Sequence, residues 1–164
     1  DGHRLRAEMG AVLVGRGTVE VDDPQLTARL EGVVNQPIRV VLDPAGKLGA
    51  GYRVFDAEAP TLRYTRVPTR TGDCSWPGDL DEVMRDLFAR GCTGLLVEGG
   101  ARTHASFLAA RLADRLVLYV APKVLGAGLS WVEGVLTDPL AKSELHLTES
   151  FPIGDDLRLT YERV

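Results

Sequence analysis

Apolar residues along this chain fall into two periods. Leu80, Val83, Met84, Leu87 and Phe88 recur at i, i+3, i+4, i+7 and i+8, which is one face of a helix. Asp79 and Glu82 give it a capping-box-like start and Gly91 a stop. Elsewhere the apolar runs are short and β-branched. Ala11–Val14 closed by Gly15, Ile38–Asp43 between Pro37 and Pro44, the weaker Thr61–Thr65, Gly94–Glu98 and Leu116–Pro122 all read as strands. Arg4–Met9 reads as the end of a helix, so the chain opens in mid-element, and residues 69–77 read as loop. ELHLTESF and DLRLTYERV alternate apolar and polar positions across a turn at Pro152–Asp156, the pattern of an antiparallel hairpin with one wet face.

The order of elements predicts an architecture. After Gly94–Glu98 come Gly99-Gly100, then a helix with Ala101, Ala105, Leu108 and Leu112 on one stripe, then Leu116–Pro122. A helix between two apolar strands predicts a right-handed parallel crossover. The sum is an α/β domain with a mainly parallel sheet and an antiparallel edge. With no repeat or linker, residues 1–164 are expected to form a single domain.

Composition narrows the class. At 164 residues and a net charge of −4, the chain can bury an ordinary core without disulfides or a structural metal. No block of like charge predicts a nucleic-acid groove or an anionic membrane surface, and no apolar stretch approaches the ~18 residues of a transmembrane helix. The expected compartment is the cytoplasm. Cys74 and Cys92 lack zinc-ligand spacing and read as free thiols; no metal is expected.

Candidate chemistry sits in two clusters. In VEGG followed by a helix, two glycines allow close backbone approach, and helix N–H groups carry partial positive charge that suits a phosphate. Glu98 ends this strand, where open α/β sheets bind ligands; its alternative role is a buried acid satisfied by backbone donors. In GRGTVEVDDPQLTAR the paired Asp22 and Asp23 read as an Asp-Pro turn rather than a metal site. Arg6 and Arg29 are candidate anchors for an anionic substrate. His104 projects from the helix after the Gly-Gly turn, within reach of a bound phosphate or exposed to solvent. GxSxG and a catalytic-cysteine context are both lacking.

Together, LRAEMGAVLVGRGTVEVDDPQLTAR, QPIRVVLD, GLLVEGGARTHASFLAARLADRLVLYVAPKVLG and GDDLRLTYER resemble the reductase domain of the bifunctional riboflavin-biosynthesis deaminase/reductase, from about Arg4 to the end. The resemblance implies a three-layer dihydrofolate-reductase-like fold and NADPH-dependent reduction of 5-amino-6-(5-phosphoribosylamino)uracil to its ribitylamino product. It implies that the ribosylamine opens to an imine that receives hydride, and that the protein forms a homodimer. Thr18 and Asp22 then match cofactor positions, as does the stretch Gly99, Gly100, Ala101, Arg102, Thr103 and His104. Arg6, Leu26, Arg29 and Glu98 match positions at the phosphorylated pyrimidine. The family's N-terminal strand, with its Ser-x-Asp-Gly segment, would lie upstream of Asp1, and Pro44 replaces a small polar residue near the cofactor. The zinc deaminase signature is absent, so no deaminase chemistry is expected. Two other readings remain: a dihydrofolate-reductase-like enzyme with another substrate, and a non-catalytic nucleotide-binding module.

Overall fold

The computed structural model describes residues 1–134 and 144–163. In chain order these form α1 (Gly2–Glu8), β1 (Ala11–Gly15), α2 (Arg16–Asp22), β2 (Ile38–Leu42), β3 (Thr61–Thr65), β4 (Cys74–Ser75), α3 (Leu80–Ala89), β5 (Leu95–Gly99), α4 (Ala101–Ala109), β6 (Arg115–Val120), β7 (Leu145–Ile153) and β8 (Asp156–Arg163). The chain divides into two compact units, residues 1–104 and 105–164.

In the first unit five parallel strands lie in the order β4-β3-β2-β1-β5. β1 is buried along Ala11–Val14 and β2 along Arg39–Leu42, the near-continuous burial expected of parallel strands. The chain steps outward from β1 to β4, then returns to the far side of β1 as β5. The C-terminal ends of β1 and β5 therefore flank the point where strand order reverses, the place where open α/β sheets hold ligands. Val12, Val14, Val19, Leu26, Val41, Leu48 and Val54 pack as one buried cluster.

α3 bears out its pattern. Asp79 caps it by accepting from the Asp81 N–H at 2.9 Å, Val83 and Leu87 are buried, and Gly91 follows the last turn with φ +88°. Phe88 departs from the pattern, being 72% exposed. It lies about 90° round the helix from the centre of the stripe, at its margin.

The second unit corrects the predicted crossover. β6 pairs with β8, antiparallel, and the three strands form a separate sheet in the order β6-β8-β7. An apolar run leaves strand direction open, so LVLYV is compatible with either sheet, and Tyr119 and Val120 at its end are 44% and 48% exposed. The predicted hairpin is β7–β8, turning at Gly154-Asp155; Gly154 takes φ +63° in the first central position, as a two-residue turn of type II′ requires.

Two further elements were not predicted. Residues 16–22 are helical, and Cys74–Ser75, inside the stretch expected to be loop, pair with Tyr64–Thr65. Cys74 and Cys92 are free and half-buried. Among the described residues no helix is long and apolar enough to cross a membrane, and no group of three or more His, Cys, Asp or Glu is placed to hold a metal ion.

Candidate functional site

At the switch point the register between β1 and β5 slips. Leu13 pairs with Val97 but Val14 pairs with Gly99, so Glu98 is the extra residue of a bulge. A bulge interrupts strict alternation and re-aims a side chain. The Glu98 carboxylate meets Arg6 of α1: Nε donates to Oε1 and Nη2 to Oε2, both at 2.6 Å. Both side chains are about four-fifths buried, where such a bidentate pair is stronger than at an open surface. Arg6 Nη1 also donates to the Thr27 carbonyl at 3.1 Å. Two of the five guanidinium N–H donors therefore remain uncommitted among these contacts.

Thr27 belongs to the segment that follows α2. Gln36 clamps the next residue, accepting from Ala28 N at 2.7 Å and donating to Ala28 O at 3.1 Å. The Arg29 N–H and the Thr27 carbonyl both lie 3.1 Å from His3 Nδ1, which serves one or the other according to tautomer. Thr27 O also receives Arg6, through its second lone pair. The Arg29 guanidinium is exposed and makes no ion pair among the described residues. Of the four predicted substrate residues, the structure joins Arg6 to Glu98 and sets Arg29 two residues beyond the carbonyl that holds Arg6. Leu26 differs: its side chain lies in the core, 2% exposed, with φ +56°. Only its backbone is left to face a ligand.

The predicted cofactor residues also converge. A Cβ on Gly100 would stand 3.2 Å from Thr18 Oγ1, and one on Gly99 3.6 Å from His104 Cε1; Gly99 has φ +140°, and the Gly99-Gly100 peptide is cis. A Cβ on Gly15 would meet Thr103 Oγ1 at 2.5 Å. Glycines at these three positions let the ends of β1 and β5 close on the first turns of α2 and α4. Thr18 and Asp22, one helical turn apart, share a face of α2. Asp22 is exposed, and His104 is half-buried with its ring over Gly99. The first turn of α4 contains no acidic residue and follows directly on Gly100; Ala101, Arg102 and Thr103 form it. A helix N-terminus that opens on glycines in this way can accept an anionic group, next in sequence to Glu98 of the Arg6–Glu98 pair.

Sequence reasoning missed His3, Thr27 and Gln36 as supports of the site. Polar side chains that bond backbone across a loop leave no periodic signal.

A cavity of about 550 Å³ between β3, β4 and α3 contains none of the candidate residues. Several of its polar groups are already partnered: the Tyr64 hydroxyl donates to Asp86 at 2.6 Å, Arg90 Nε to Asp86 at 2.8 Å and the Trp76 indole to Asp79 O at 2.6 Å. Burial, then Asp86, push the Tyr64 phenol far above its usual range; Arg90 lowers Asp86, and burial raises the Cys74 thiol. The geometry favours the glycine cradle over this cavity.

The family model described as the RibD C-terminal domain matches residues 1–159. A riboflavin biosynthesis protein RibD of Chlamydia pneumoniae is 37% identical over 179 residues, covering 97% of this chain and 48% of that protein. A 2,5-diamino-6-ribosylamino-4(3H)-pyrimidinone 5′-phosphate reductase of Methanothermobacter thermautotrophicus is 30% identical, covering 97% of this chain and 82% of that protein. Among solved structures, a diaminohydroxyphosphoribosylaminopyrimidine deaminase/5-amino-6-(5-phosphoribosylamino)uracil reductase of Thermotoga maritima superposes with a TM-score of 0.87 at 28% identity, covering 99% of this chain and 47% of that one. The chain thus spans about half the length of the two RibD-type proteins.

Proposed function

Since the chain belongs to the RibD C-terminal domain family, we propose that it reduces 5-amino-6-(5-phosphoribosylamino)uracil to the ribitylamino product with NADPH, in riboflavin biosynthesis. The observation that carries the reading is the adjacency of an anion cradle, Gly99-Gly100 against Thr18, to the Arg6–Glu98 pair, both at the switch point of a parallel sheet.

The residues present fit a dinucleotide phosphate, because the cradle has no Cβ at either glycine and no carboxylate in the helix turn above it. Gly99, Gly100, Ala101, Arg102, Thr103 and His104 would hold it, with Thr18 and Asp22 facing it from α2. When bound, NADPH supplies the hydride. The protein's own work is positioning. Arg29, with the uncommitted donors of Arg6, receives the substrate phosphate; Glu98, oriented by Arg6, accepts from a hydroxyl or amine of the substrate. The opened ribosyl carbon gains the hydride and the adjoining nitrogen a proton from bound water or the substrate's own groups.

The proposal includes a homodimer in the cytoplasm. Support for self-association comes from β7, an outer strand of nine residues whose Leu147 and Phe151 are 54% and 38% exposed. Sedimentation velocity should give a dimer mass; a monomer at micromolar concentration contradicts this part.

The chemical step is tested with NADPH in which both hydrogens of the transferring carbon are replaced by deuterium. One deuterium should appear on the former anomeric carbon of the product. Product lacking the label contradicts hydride transfer to that carbon.

A further inference from the structure

Arg39 is the largest side chain among the described residues with no solvent exposure. A cation removed from water is costly unless its donors are matched, and here all three nitrogens are. Nε donates to Thr61 Oγ1 at 2.9 Å. Nη1 donates to Asp56 Oδ1 at 2.7 Å and Arg53 O at 3.2 Å, with a longer contact to Gln25 O at 3.4 Å. Nη2 donates to the carbonyls of Asp56 and Ala59. Four of these six acceptors lie in the loop that connects β2 to β3, one is at the start of β3 and one is Gln25 of the segment after α2.

That loop in turn grips the segment after α2. The Arg53 N–H donates to Asp23 Oδ1 at 2.7 Å and Arg53 Nε to Asp23 O at 2.8 Å, while Gln25 Nε2 donates to Asp56 Oδ2 at 3.3 Å. Residues 23–29 have no regular secondary structure, and Asp23 and Leu26 take the left-handed conformation, at φ +41° and +56°. Non-glycine residues persist there only where their surroundings hold them. Two residues beyond Gln25, the Thr27 carbonyl holds Arg6, and Arg6 holds Glu98.

We propose that Arg39, through Asp56 and the loop at 53–61, is a positioning residue for the candidate substrate site. It fixes residues 23–29 so that the Thr27 carbonyl anchors Arg6 and Arg29 stands beside α1. The catalytic consequence rests on the reductase reading; the structural one does not. A guanidinium is required because its fan of donors spans acceptors on several sides, which a lysine ammonium does not reach.

Two variants test this in the intact protein. Arg39→Lys keeps the buried charge and loses the fan. Asp56→Ala removes a carboxylate that is a third exposed, and because it also takes the counter-charge from the buried Arg39, a thermal melt accompanies it to show that the fold survives. Amide hydrogen exchange in 23–29 should quicken about tenfold in Asp56→Ala and more in Arg39→Lys, while peptides from β1 and β3 stay within about twofold. The KM for the phosphoribosylaminouracil should rise about tenfold in Asp56→Ala, with kcat and the Kd for NADPH within about twofold. Exchange in 23–29 that stays unchanged, or that rises equally across the strands, overturns the proposal. So does an unchanged KM when 23–29 has loosened. If the unmodified protein does not turn over the pyrimidine, the reductase reading fails on its own and the exchange experiment still decides the positioning role.

Discussion

Arg6 and Glu98 lie 92 residues apart in the chain and meet through two 2.6 Å hydrogen bonds, brought together by a bulge that turns Glu98 out of the alternation of β5. The pair is the structural core of the proposed substrate site. Replacing Glu98 by Gln keeps shape and removes charge, leaving Arg6 half-matched. We expect kcat/KM for the pyrimidine to fall about 100-fold, equivalent to about 2.7 kcal/mol, with the Kd for NADPH within about threefold. Steady-state kinetics with parallel cofactor titration checks it; equal losses in both would remove Glu98 from the substrate side.

Gly100 carries the proposed cradle. Gly100→Leu should weaken NADPH binding tenfold or more, because its Cβ already stands 3.2 Å from Thr18 Oγ1 and the longer side chain fills the approach to the helix N-terminus. Fluorescence titration of the reduced cofactor reads this, with a thermal melt to show that the fold survives. Unchanged affinity in a folded variant removes the phosphate-cradle assignment.

How much of this was legible in the sequence depended on the kind of signal. α3 was read correctly because its apolar positions follow a period, and β1, β2 and β5 because short apolar runs bounded by turn residues mark strands of a parallel sheet. The seven-residue α2 left no stripe: Val19 is buried, Val21 is 83% exposed and Gly17 interrupts the pattern. β4, two residues long, is too short to alternate. Glu98 and the glycine turn were visible as local motifs, but the bulge and the partnership with Arg6 depend on register between distant strands. Leu26 was placed on the substrate side by resemblance, whereas its side chain completes the core. A signal that could have been used was the single arginine inside each of two apolar strands, IRVVL and TLRYT, which marks the buried Arg39 and Arg63.

Arg63 gives a pH prediction. It donates to Asp73 through Nε at 2.8 Å and Nη2 at 2.6 Å, with Asp43 Oδ2 3.4 Å from Nη1, all three side chains being nearly inaccessible. Arg63, above all, with the N–H groups of Thr69 and Arg70, holds the Asp73 carboxyl down to about 2. A depressed folded-state pKa contributes stability that is complete above the ordinary carboxylate value and is lost as pH falls toward the folded one. Urea midpoints should therefore be flat near pH 6 and fall between about pH 4 and pH 2. Asp73→Asn should be less stable at pH 6 and lose less over the acid range. A difference between the two proteins that stays constant with pH would contradict this.

Arg29 is the exposed cation of the site. Arg29→Ala should raise the KM for the phosphorylated pyrimidine about tenfold or more and leave the Kd for NADPH and the melting temperature nearly unchanged, since its guanidinium holds no ion pair among the described residues. Added phosphate should inhibit the unmodified protein more than the variant. Equal changes in KM and cofactor Kd would count against a substrate role.

The most direct test of the account follows the absorbance of NADPH with 5-amino-6-(5-phosphoribosylamino)uracil in one cuvette and dihydrofolate in another. The account predicts turnover of the pyrimidine and none of dihydrofolate. Oxidation of NADPH by dihydrofolate alone, or NADPH binding without turnover of either compound, would contradict it.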